Sequence, residues 1–180
     1  MDADARSLTH VMRRLRAVHH FTDEPVAEDL VDEILTVARW TGSAQNLQPW
    51  RFVLIRDAGT LRELAALMPN APQVGRAPLA IGVVMPAERA VLHAYDEGRV
   101  TERILLAAAA LGLGAAVGWV NQDARPGAMA LLGVPQDRIL RSVVAIGHPA
   151  PEASAPRSRP GTARLPLDEL VHHERWEPRD

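Results

Sequence analysis

Apolar residues recur along the chain either at helical spacing or in short unbroken runs, and their order sets out the elements. Leu8, Val11, Met12 and Leu15 share one helical face, so 7–18 reads as a helix with Ser7 as its cap and Arg13, Arg14 and Arg16 on the other side. Thr22-Asp23-Glu24-Pro25 breaks the chain. Leu30, Ile34, Val37, Ala38 and Thr41 then predict a second helix over 27–41. Phe52-Val53-Leu54-Ile55 reads as a strand, and the stripe Leu61, Leu64, Ala65, Met68 as a short helix over 60–68 that Pro69-Asn70-Ala71-Pro72 stops. The unbroken apolar run 79–85 predicts a strand covered on both faces. The longest helix is expected from Ala87 or Tyr95 to Leu111, almost wholly apolar from Ile104 onward, with Gly112 and Gly114 as left-handed caps. Strands over 115–120 and 140–146 flank a short helix over 127–132 closed by Gly133. A Pro-, Ser- and Ala-rich linker follows over 151–160, then a short helix or extended arm over 167–173. Few tight hairpins interrupt this alternation, which predicts a mixed sheet covered by helices, either α/β or α+β.

Composition narrows the function classes. At 180 residues and 47% hydrophobic content the chain can bury one sizeable core, so a single domain over 1–180 is expected. There is no cysteine, hence no disulfide framework and no thiol nucleophile, and a cytoplasmic location fits. A net charge of −2 without a basic block argues against nucleic acid as a partner. The apolar runs are too short for a membrane span, and Asp2 and Asp4 are unlike the basic start of a signal peptide. All 20 basic residues are arginine, which excludes a lysine Schiff base. The histidines show no metal-ligand spacing, so no metal is expected. No Gly-x-Gly-x-x-Gly follows a strand and no Gly-x-Ser-x-Gly elbow occurs, which speaks against a Rossmann dehydrogenase and an α/β-hydrolase.

The stretch richest in chemistry is Gly42-Ser43-Ala44-Gln45-Asn46-Leu47-Gln48-Pro49-Trp50-Arg51-Phe52. Small residues at 42–44 let backbone N–H groups approach a flat or anionic ligand, and Gln45, Asn46 and Gln48 add uncharged donors and acceptors. Such a loop suits a neutral heterocycle with polar edges; it could equally be an ordinary helix-to-strand connection. Pro49 is expected to hold Gln48 extended, with Gln48-Pro49-Trp50 fixing the loop to the strand.

This run resembles the SAxNxQPWRF signature of the nitroreductase family. Arg16 to Phe21 with Thr22-Asp23-Glu24-Pro25-Val26, Leu111-Gly112-Leu113-Gly114, Gly147-His148-Pro149 and Arg164-Leu165-Pro166-Leu167 follow in that family's order, covering about 13–172. The resemblance implies an α+β sandwich with a mixed, mainly antiparallel sheet, dimeric around its long central helix, with FMN at the subunit interface. It implies a flavin oxidoreductase taking hydride from NAD(P)H and reducing a nitroaromatic, quinone or other conjugated acceptor. Alternatives within its reach are a member using the deazaflavin F420 or a dedicated substrate, and a degenerate, non-catalytic binder.

The cofactor positions that the resemblance carries over are Arg16, Ala17, His19 and Arg164 at the phosphate, Gly42, Ser43, Ala44 and Asn46 along the ring, and Gly118, Trp119 and Val120 near its reactive edge. Arginine suits phosphate because its planar fork bonds two oxygens at once. The family's Arg-Arg-Ser run is altered here, with Leu15 at the first Arg and Ala17 at the Ser, and Gly42 stands where proline is usual. Arg13 and Arg14 read as a solvated face. Asp96 to Arg103 is more charged than is common in that family's central helix; it reads as intrahelical bridges, or with Arg99 and Arg103 as an anion site. No side chain is assigned as a catalytic acid or base, because solvent can protonate the product of a flavin hydride transfer.

Overall fold

The structure, a computed structural model, describes residues 3–154 and 164–176. Helix α1 spans Ala3–Arg14, α2 Glu28–Arg39, β1 Arg51–Ile55, α3 Ala58–Leu67, β2 Leu79–Pro86, α4 Ala90–Ala110, β3 Gly114–Trp119, α5 Arg125–Leu131, β4 Arg138–Gly147 and α6 Leu167–Leu170. The strands form a four-stranded sheet in the order β1-β2-β4-β3. All three pairings are antiparallel, so among the described residues the sheet is not mixed as expected but antiparallel throughout.

The two faces of the sheet carry separate cores. Leu79, Ile81, Val83 and Met85 of β2, with Val144 and Ile146 of β4, pack against Val31, Ile34 and Ala38 of α2 and Val100, Ile104 and Ala107 of α4. Ala80 and Val84 join Leu61 and Leu64 of α3 and Ala128 of α5 on the other face. β2 is thus covered on both sides, as its unbroken apolar run requires. Each fully buried Val, Leu or Ile is worth about 1.5–3 kcal/mol of transfer free energy, so Ile104 and Val100 contribute substantially to holding α4 on the sheet.

Several boundaries differ from expectation. α1 begins before Ser7, which therefore lies inside the helix, and ends at Arg14, not at residue 18. Beyond it Val18 N–H donates to Ala115 O of β3 at 3.0 Å, so sheet-like pairing replaces the last helical turn. Gly112 does adopt the left-handed cap, at φ 78°, and Gly133 another at 64°. Gly114 does not. It opens β3, and a Cβ there would stand 2.6 Å from Val18 Cγ1, so this glycine serves close packing and not a turn. Of the 151–160 linker, Pro151–Ser154 forms a 3-10 turn and the remainder lies outside the described residues.

α3 starts earlier than its apolar stripe indicated, because Asp57 caps it. Its Oδ1 accepts from Thr60 N–H and from Thr60 Oγ1, both at 2.8 Å. The backbone bond, then the hydroxyl bond, lowers the Asp57 carboxyl below its ordinary value. A depressed carboxyl contributes stability that is complete above its unfolded-state value and is lost as pH falls through the folded one. Asp57→Asn should therefore melt below wild type at neutral pH, with the gap closing in acid. A thermal melt series from pH 7 to pH 2 checks this, and a gap that stays constant counts against the charge.

Candidate functional site

After α1 the chain crosses the ends of β3 and β4, with Thr22 N–H donating to His148 O at 2.9 Å and Ala150 N–H to His20 O at 3.0 Å. This path lays 15–19 along an open cavity of about 810 Å³. Its lining includes Arg13, Arg16, Ala17 and His19, Glu102 and Leu105 of α4, Val117 of β3, and Arg164 from the C-terminal segment. The four positions expected at a phosphate, Arg16, Ala17, His19 and Arg164, are thus gathered at one place although the last is remote in sequence. Arg13 was expected on a solvated face. It is exposed but also lines this cavity, where it adds a guanidinium that the altered Arg-Arg-Ser run had seemed to lose.

Among the lining residues three guanidiniums face one carboxylate, Glu102, so the field favours an anion. Arg16 is positioned by the end of α1. Its Nη1 donates to Leu15 O at 2.7 Å and to Arg13 O at 3.0 Å, using carbonyls that the helix terminus leaves unpaired.

The polar loop over 42–48 is not among the residues lining this cavity. Gln45, Asn46 and Gln48 have φ of 51°, 55° and 47°, left-handed values that side chains seldom adopt. Gln48 is therefore not extended, as Pro49 had predicted. Its N–H donates to Ser43 Oγ at 2.9 Å and its carbonyl accepts from Arg51 Nη1 at 3.2 Å, which curls the loop back on itself. Such conformations cost about 1–3 kcal/mol each and persist where the surroundings fix them. Here the Ser43 hydroxyl and the buried Pro49 and Trp50 do so, in keeping with the structural part expected of Gln48-Pro49-Trp50. Ala44 and Asn46 stand exposed on the loop, and Gly42 lies against Arg99 of α4.

Gly118 of β3 and Val120 just beyond it turn toward the α3 face. A Cβ on Gly118 would meet Met68, Ala71 and Val74 within 3.0 Å, and Val120 is fully buried. Any contact they make with a ligand must come from their backbone. Trp119 points to the other face and is exposed, at the mouth of a hollow of about 330 Å³ shared with Glu97, Arg141 and Ser142.

The charged run of α4 divides in a way its spacing did not indicate. Asp96 pairs within the helix, to Arg99 at 3.4 Å. Glu97 leaves the helix instead. It accepts from Arg141 Nε at 2.7 Å and from Ser142 Oγ at 2.7 Å, and Arg141 Nη1 donates to Ala90 O at 3.1 Å. Glu97 and Arg141 are buried, so this is a charged clamp between α4 and β4. The sequence signal for it was Arg141-Ser142, polar and adjacent inside an apolar strand. Among the described residues no cluster of His, Asp or Glu could hold a metal, and no helix is long and apolar enough to cross a membrane.

An antiparallel sheet between two helical layers, with an arginine-rich cavity lined in part by β3 and a strained amide loop whose Gly42 lies against Arg99 of α4, defines the architecture as α+β. The nitroreductase family model matches residues 12–95. A Methanothermobacter thermautotrophicus protein provisionally named NADH dehydrogenase/NAD(P)H nitroreductase is 31% identical over 168 residues, covering 89% of this chain and 83% of that one. The FMN reductase [NAD(P)H] of Bacillus subtilis is 25% identical over 183 residues, covering 89% and 71%. An FMN-dependent nitroreductase structure from Clostridium difficile superposes with a TM-score of 0.80 at 22% identity, over 92% of this chain and 98% of that one. The chain belongs to the nitroreductase family.

Proposed function

We propose that the protein is an FMN-dependent oxidoreductase that takes hydride from NAD(P)H and passes electrons to a nitroaromatic, quinone or other conjugated small-molecule acceptor. The observation that carries this is the single cavity into which Arg13, Arg16, His19 and Arg164 converge. Its volume and its mix of guanidiniums with apolar Met12, Leu105 and Val117 fit a phosphate joined to a larger, less polar body. The relatives' names, an FMN reductase and an FMN-dependent nitroreductase, support the same cofactor. When bound, FMN supplies the hydride-accepting and hydride-donating centre.

The chain's own residues then bind and orient. Arg16 and Arg164 hold the phosphate as the principal donors, with Arg13 and His19 beside them and Ala17 leaving room. Gly42, Ser43, Ala44 and Asn46 present backbone and amide groups to the ring, and the backbone of Gly118, Trp119 and Val120 meets its reactive edge. No side chain moves a proton in this scheme; solvent does.

The working unit is a homodimer in which the loop over 42–46 completes the partner's cavity. The loop's absence from its own chain's cavity supports this, as does the exposed apolar row Val91, Leu92 and Tyr95 on α4 with Leu167, Leu170 and Trp176 of the C-terminal segment. The whole chain acts as one domain, and a cytoplasmic location accords with the cysteine-free sequence and the use of NAD(P)H.

The test is optical and hydrodynamic. The purified protein should be yellow, bleach on anaerobic addition of NADH or NADPH, and recover on addition of a nitroaromatic or quinone, while sedimenting as a dimer. Absorption at shorter wavelength would point to F420, and a protein that takes up no FMN overturns the reading. A monomer that retains stoichiometric FMN would overturn the shared site.

A further inference from the structure

Two departures from the family pattern touch each other. Gly42 replaces the usual proline at the start of the ring loop, and Arg99 stands on α4 where smaller polar residues are common. A Cβ on Gly42 would lie 2.8 Å from Arg99 Nη2, 3.7 Å from its Cζ and 3.9 Å from its Nη1. A side chain at 42 would therefore displace the guanidinium from its present place, so Gly42 leaves room for Arg99 beside the loop. Arg99's only hydrogen bond among the described residues runs from Nη1 to Asp96 Oδ1 at 3.4 Å. Asp96 is 5% exposed whereas the Arg99 side chain is 56% exposed, so the carboxylate anchors Nη1 from below while Nη2 lies over Gly42 and the side chain stays open to solvent.

The charges around this group set its net character. Asp96 offsets it in part, but one long contact leaves most of the five guanidinium N–H donors unused. Glu97, the next acidic residue on the helix, is already committed to Arg141 and Ser142. Glu102 is one turn on and faces the cavity that holds Arg13, Arg16 and Arg164. Arg99 is thus a cation fixed beside the ring loop with a planar edge open to a second anion, the geometry that suits a carboxylate.

We propose that Arg99 is the anion-recognising residue of the acceptor site and that the protein favours conjugated acceptors bearing a carboxylate. The acceptor's carboxylate is held by Arg99 beside the loop, while its ring lies next to the flavin that the loop contacts. This inference rests on the oxidoreductase reading above for what happens to the acceptor, but the anion contact itself does not.

The test compares wild type with Arg99→Gln and Arg99→Glu in the FMN-loaded protein, using 4-nitrobenzoate and its neutral methyl ester as acceptors. The ratio of kcat/KM for acid over ester should fall about tenfold in Arg99→Gln and further in Arg99→Glu, with the loss carried by KM for the acid. Gly42→Ala, which pushes the guanidinium off the loop, should shift the ratio in the same direction. An unchanged ratio overturns the proposal, and so does a rise in KM for NADPH alone, which would put the anion on the nucleotide. Calorimetric titration with benzoate supplies a readout without turnover: affinity should fall about tenfold in Arg99→Gln, and equal binding by both proteins overturns the proposal. A protein that binds no FMN would sink the oxidoreductase reading, while the benzoate comparison would still decide for or against Arg99.

Discussion

Glu97→Ala should lower the unfolding free energy by about 3–5 kcal/mol, a large part of what a domain of this size has to lose. Glu97 is 3% exposed and Arg141 8%, and the carboxylate meets Arg141 at Nε and Nη2 as well as the Ser142 hydroxyl. Removing it leaves a guanidinium charge in the gap between α4 and β4 with, among the described residues, only the Ala90 carbonyl as hydrogen-bond partner. The penalty is the unpaired charge and not the worth of the pair, which sets up the control. Glu97→Leu combined with Arg141→Met removes both charges and should recover most of the loss, because a buried pair replaced by apolar groups is close to neutral. Urea unfolding at fixed protein concentration, read by circular dichroism, measures both. A loss below 1 kcal/mol for the single variant would mean that water reaches Arg141 and that the clamp is not closed.

Arg164→Ala and Arg16→Ala should each weaken FMN binding by tenfold or more, the effect of about 1.5–3 kcal/mol for a charge-assisted contact. Both residues line the cavity of about 810 Å³, and Arg164 comes to it from a segment that, among the described residues, adds no strand to the sheet. Arg13→Ala should fall between these variants and wild type, since Arg13 lines the same cavity from the exposed end of α1. Arg14, next in sequence but absent from that lining, is the control and its replacement should change affinity less than twofold. Quenching of FMN fluorescence on titration with apoprotein gives the constants. Added salt should weaken wild type more than Arg164→Ala, because the variant has one fewer charge to screen. Equal affinities for Arg164→Ala and Arg14→Ala would show that the C-terminal segment does not close on the cofactor.

The order of elements was legible without coordinates because it follows from local spacing. The apolar stripe of α2, the unbroken run of β2 and the buried turns of α4 each report a covered face through a period that a reader of the sequence can count. The signature loop was legible for a different reason: its residue types at their fixed intervals resemble one family, and the anchor Pro49-Trp50 is buried as that reading required.

What local spacing could not supply was pairing across distance. The antiparallel sense of every strand pair depends on which edges meet, and nothing in an apolar run states its direction. α1 stops short of residue 18 because Val18 N–H donates to Ala115 O, almost a hundred positions away, a bond that helix propensity cannot register. Gly114 looked like a cap beside Gly112 until Val18 was seen to occupy the space of its side chain. Asp96 and Glu97 are neighbours with the same charge. The sequence by itself put both on a charged helix; only the tertiary structure turned one along the helix to Arg99 and the other across to Arg141, because a buried carboxylate must go where a cation and donors await it.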